Sequence, residues 1–75
     1  MNERLKHVMI ARYKAVIEDA KYKIKCYSEQ EIIIPEHPDI TLEIDKLLET
    51  MSNAEEKLAV IELHYGNNKA EKAIL

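Results

Sequence analysis

A chain of 75 residues carrying 11 Lys or Arg and 14 Asp or Glu, net charge −3, has room for one hydrophobic core. Its single cysteine excludes an intramolecular disulfide, and without a second cysteine a structural zinc site is not expected, so the usual staples of small domains are missing. No apolar run has the length of a signal peptide core or a membrane span, and the expectation is a cytoplasmic protein without a membrane partner.

The first predicted element is a helix over residues 2–28. Ile10, Tyr13, Ile17, Ala20, Ile24 and Tyr27 recur at alternating steps of three and four, the spacing of a heptad seam. Leu5, Val8, Met9 and Val16 widen this stripe beyond what one neighbouring helix covers, and they are assigned to contact with a second copy or another protein.

Residues 29–38 form a connector. Pro35 and Pro38 break helical structure there, because proline lacks the amide hydrogen and biases the residue before it toward extended backbone. Ile32, Ile33 and Ile34 favour an extended path and need cover, either over the open end of a hairpin or against a partner.

A second helix is predicted over residues 39–65. Asp39 can cap it, and Ile40, Ile44, Leu47, Met51, Ala54, Leu58, Ile61 and Tyr65 repeat the seam spacing without a slip. Ser52 with Glu55 has the form of a capping box, yet the unbroken phase across it favours one continuous helix. The run stops at Gly66. In the tail, 66–75, Asn68 and Glu71 can cap a short terminal turn.

These elements define an all-α fold with a single domain, 1–75: an antiparallel two-helix hairpin with heptad seams, completed as a helical bundle by self-association. A homodimer is the first expectation and a higher homo-oligomer the second. Leu58, central on the second seam, is expected to be critical to stability.

The charge is unevenly spread. Residues 1–28 hold seven Lys or Arg against three acids, and residues 29–75 hold four against eleven. A basic helix beside an acidic one accounts for this by mutual neutralisation. The alternative is capture of an anionic small ligand, a nucleotide or nucleic acid by the first helix, with Lys6, Lys14 and Lys23 contributing charge and Arg12, Lys21, Tyr22 and Lys25 as the candidate contacts.

Catalytic chemistry is not indicated. Gly66 is the sole glycine, so there is no phosphate-binding loop, and no nucleophile, acid and base pattern is present. His7, His37 and His64 fall one per segment, which leaves no ligand pair at metal spacing. Cys26 reads as a partly buried spectator, and Tyr13, Tyr27 and Tyr65 as seam residues. No catalytic residue, metal or cofactor is assigned.

Thr41-Leu42-Glu43-Ile44-Asp45, followed by Lys46-Leu47-Leu48, is similar to the Ser-Gln-Glu-Leu-Asp motif of the sporulation-regulating aspartyl-phosphate phosphatases. These are small helical hairpins that act on a phosphorylated response regulator. The resemblance implies Asp45 as a functional acid with Glu43 beside it, and it departs from the motif by Thr for Ser and Leu for Gln. The expected function is nevertheless a non-enzymatic, oligomeric helical protein acting through protein–protein interaction as a regulator, inhibitor or phage- or plasmid-type accessory protein. Anion capture by the first helix is the alternative, and phosphatase-like action the third.

Overall fold

The computed structural model describes residues 1–29 and 39–66. The connector with Ile32, Ile33 and Ile34, and the tail turn at Asn68 and Glu71, lie outside the described residues. The described chain forms two helices packed on each other, α1 (Glu3–Ser28) and α2 (Ile40–Ile61), with α2 passing directly into a π-helical turn, Glu62–Gly66.

Each helix begins at a side-chain cap. Asn2 keeps extended backbone, φ −74° and ψ 162°, and its Oδ1 accepts the Leu5 amide hydrogen at 2.7 Å. It therefore precedes α1 as its cap, where the sequence placed the first helical residue. Asp39 does the same for α2, accepting from the amides of Thr41 at 3.0 Å and Leu42 at 3.2 Å, and from the Thr41 hydroxyl. α2 then runs without a break through Ser52 and Asn53, so the capping-box signal there starts no new helix.

The hydroxyl of Thr41 above all, then the amide of Leu42, hold the Asp39 carboxyl below the usual carboxylate range. A depressed folded-state value means the capped carboxylate stabilises the helix above the unfolded pKa and loses that contribution as pH falls through the folded one. The first turn of α2 is therefore expected to loosen on acidification below the ordinary carboxylate range, read as falling protection of its amides. Asp39→Asn should retain a cap and remove that pH dependence; unchanged titration in the Asn variant would locate the effect elsewhere.

The helices run antiparallel. Lys6 near the start of α1 meets the carbonyls of Tyr65 and Gly66, the Lys57 ammonium lies 5.5 Å from the Tyr13 ring centre, and Tyr27 shares a cleft with Glu43 and Leu47. Ala20 at 1% exposure, Ala54 at 4% and Ile61 at 6% form the buried core. Apart from Leu5, Val8 and Tyr65, which are exposed, the other apolar positions assigned to the two stripes are half-buried. Two helices give most side chains only one wall to pack against, so small residues at the line of closest approach become the buried ones.

The end of α2 has no basic residue of its own. Lys6 supplies the charge from the other helix, its ammonium donating to Tyr65 O and Gly66 O at 3.3 Å each and to Glu3 Oε1 at 2.9 Å. Lys6 is thus buried, at 7% exposure, and does not belong to the outward basic surface where the sequence put it. A lysine can follow this path because its methylene stem packs along apolar neighbours while its head reaches carbonyls at the negative end of a helix. Gly66 ends the π turn without a positive φ, so left-handed backbone is not what glycine provides there.

Candidate functional site

Exposed apolar side chains occur at both ends of the hairpin: Tyr22, Leu42 and Leu48 lie toward the connector, and a larger group, with Leu63 standing apart on the π turn, lies at the opposite end. Met1, Leu5 and Val8 on the entry to α1, with Val60 and Tyr65 on the end of α2, are each 45–57% exposed. Met9 and Tyr13 lie half-buried between them, and a cleft of about 300 Å³ runs over Met1, Met9, Tyr13, Val60 and Tyr65 beside Lys57. Leu5 and Val8 line a second, shallower groove with Arg4. Of the widened stripe, then, Leu5 and Val8 stand outward and Met9 and Val16 are half covered. Val60 belongs to the same end although it lies off the α2 seam, so sequence periodicity found Tyr65 there but not Val60.

A larger opening, about 630 Å³, lies toward the connector and is lined by Lys23, Cys26, Tyr27, Glu43 and Leu47. Its charged walls are already occupied: Lys23 pairs with Asp19 at 2.9 Å and Glu43 with Lys46 at 3.7 Å. Cys26 is exposed at its rim, contrary to the partly buried position expected for it. The neighbouring Tyr22 phenol is raised above its ordinary pKa by a hydrogen bond with Cys26 and, second, by its electrostatic interaction with the same residue. Size alone does not make this opening the better candidate. The apolar end offers uncovered hydrocarbon, whereas here polar groups already satisfy one another.

The proposed anion contacts do not converge. Lys21 and Lys25 are four residues apart and share a flank of α1, with exposed Tyr22 beside them; Lys21 is paired with Glu18 at 3.4 Å. Arg12 precedes Lys21 by nine residues. At 3.6 residues per turn that is about two and a half turns, which puts Arg12 on the opposite side of the helix. It stands one turn after Val8, alongside the apolar end face.

Charge neutralisation is local. The ion pairs among the described residues, Lys6 with Glu3, Lys21 with Glu18, Lys23 with Asp19 and Lys46 with Glu43, all lie within one helix. Mutual pairing of a basic and an acidic helix is therefore not how these side chains are arranged. Apart from Lys6 with Glu3, whose lysine is buried, such pairs contribute little to stability and mainly fix side-chain positions.

Asp45 is exposed on α2, and Glu43 is half-buried beside Lys46. Among the described residues no group of three or more His, Cys, Asp or Glu could hold a metal ion, and no helix is long and apolar enough to cross a membrane. Comparison with protein-family models, with curated proteins and with solved structures finds no significant match.

Proposed function

We propose that this chain acts without catalysis, as an interaction protein whose hairpin completes its core by taking up further helical surface against its apolar end. The observation that carries this reading is the set of half-exposed apolar side chains at one end of the hairpin, Met1, Val60 and Tyr65 around one cleft and Leu5 and Val8 in a separate groove on α1. Monomeric proteins rarely leave apolar surface of this kind uncovered, and a lone pair of helices is marginal in water without a third wall. A second copy, giving a four-helix bundle, and a helix from another protein would both supply that wall.

The test is Val8→Asp, which places a charge in the patch at an exposed position and so leaves the hairpin interior intact. Light scattering of the purified chain and capture from the native host are the readouts. Assembly, with itself or with a captured protein, is expected to weaken by more than about tenfold in the variant while its helical circular dichroism is kept. Asp45→Asn, on an outward position away from the patch, should leave assembly unchanged. If parent and Val8→Asp behave alike in both measurements, the end face is not an interaction surface.

A further inference from the structure

α1 carries a second stripe on the face turned away from α2. Leu5, Val8, Arg12, Ala15, Asp19 and Tyr22 follow one another at alternating steps of three and four, and Cys26 lies one step beyond. All of them are exposed, whereas the stripe facing α2, from Ile10 to Tyr27, is half-buried or buried throughout. Both stripes have the 3.5-residue repeat, so the left-handed coil that keeps one against α2 keeps the other along the opposite face. The outer stripe matches its own reverse. Apolar Leu5 and Val8 stand at one end and Tyr22 and Cys26 at the other, with the cation Arg12 and the anion Asp19 on either side of Ala15 in the middle. Arg12 makes no ion pair among the described residues. Asp19 holds Lys23 through Oδ2 at 2.9 Å, and its second carboxylate oxygen can accept a further donor.

We infer that this outer stripe pairs with the same stripe of a second copy, the two α1 helices running antiparallel about a two-fold axis near Ala15. The inference rests on the interaction reading above and names the occupant of its α1 groove. Reversal brings Leu5 and Val8 against the partner's Tyr22 and Cys26, and it brings Arg12 beside the partner's Asp19, an ion pair that the symmetry makes twice. Ala15 falls at the crossing, where a small side chain lets the two helices approach closely. A parallel pair would instead set Arg12 against Arg12 and Asp19 against Asp19, which opposes association. On the flanks, Glu18 is held by Lys21 and Lys23 by Asp19 within the helix. The uncompensated charges there are Arg4 and the partner's Lys25, which approach at either end of the contact on its solvent edge, where water and salt screen them. A surface complementary to its own reverse is what an isologous contact requires, whereas a foreign helix would have to reproduce this order of apolar, charged and small residues.

Sedimentation of the full chain at micromolar concentration is expected to show a dimer. Arg12→Glu and Asp19→Arg should each raise the dissociation constant about tenfold or more with helical circular dichroism kept, because each leaves two like-charged contacts. An equimolar mixture of the two variants should recover the parent's affinity, since in the mixed pair every reversed charge meets an opposite one. Orientation is read separately by copper–phenanthroline oxidation. At 1.5 Å per residue Cys26 lies about 30 Å from its counterpart in the antiparallel pair, so the parent should stay uncrosslinked while Ala15→Cys in a Cys26→Ser background crosslinks. Ready crosslinking of the parent through Cys26 would mean a parallel pair and overturn the inference. A dimer that both charge variants leave unchanged, and that Val60→Asp dissociates, would place the second copy in the cleft; a monomer that captures another protein in a Val8-dependent way would make the occupant foreign. Either result overturns the inference and leaves the interaction reading standing. A monomer whose capture Val8→Asp does not alter would remove both.

Discussion

Ile61→Ala is expected to lose about 2–5 kcal/mol of stability, more than Leu58→Ala one turn earlier. Ile61 is 6% exposed, at the point where α2 gives way to the π turn, and it forms part of the cleft floor with Tyr13 nearby. Truncation there removes the transfer energy of a buried side chain and leaves a void between the two helices. Leu58 is only half-buried, so part of its side chain gains nothing from folding, and its truncation should fall near the low end, about 2 kcal/mol. For a domain of this size either loss is a large fraction of the total. Urea or thermal unfolding of the two variants decides the order. A greater loss at Leu58 would mean that the line of contact between the helices is rotated from the one described.

The helices were legible because periodicity is a direct record of burial. Every α1 stripe residue from Ile10 to Tyr27, and every α2 stripe residue from Ile40 to Ile61, lies on the shielded side of the hairpin. Asp39 was readable from its chemistry, and Asn2 was equally readable as a residue type that caps, three positions before Leu5. Lys6 was missed although the stripe, continued one step of four back from Ile10, falls on it. A charged residue at an apolar position was assigned to the surface by type, when the position itself was the better guide. Its partners could not have been anticipated, since they are backbone carbonyls at the far end of the sequence.

The end face was half legible for a related reason. Leu5 and Val8 stood out as apolar residues beyond the seam, but Val60 belongs to it only once the antiparallel register brings the end of α2 beside the start of α1. The basic set shows the opposite failure. Composition grouped Arg12 with Lys21 and Lys25, whereas helical geometry separates them and gives Arg12 apolar neighbours.

The Lys6 clasp provides the second large expected effect. Lys6→Met keeps a long apolar stem in place and removes only the ammonium, so the carbonyls of Tyr65 and Gly66 lose a charged donor; with both contacts at 3.3 Å the cost should be about 1–2 kcal/mol. Lys6→Glu sets a carboxylate against those carbonyls and beside Glu3. Full burial would make such a change cost about 3–5 kcal/mol, and because Glu3 is largely in water the expected loss is about 2–3 kcal/mol. The damage should be local before it is global: hydrogen exchange of the amides from Ile61 to Gly66 should accelerate in both variants, more in Glu than in Met, while the middle of α1 and α2 remains protected. The clasp also titrates. The hydrogen bond from Lys6, with its charge second, lowers the Glu3 carboxyl below its ordinary value. The pair therefore contributes above the unfolded carboxylate pKa and loses that contribution as pH falls through the folded one. In the parent, exchange at the π turn should rise on acidification through that range, and Glu3→Gln should abolish the rise. If the Met and Glu variants exchange at the parent rate, Lys6 holds nothing in place, and the end of α2 is fixed by Ile61 alone.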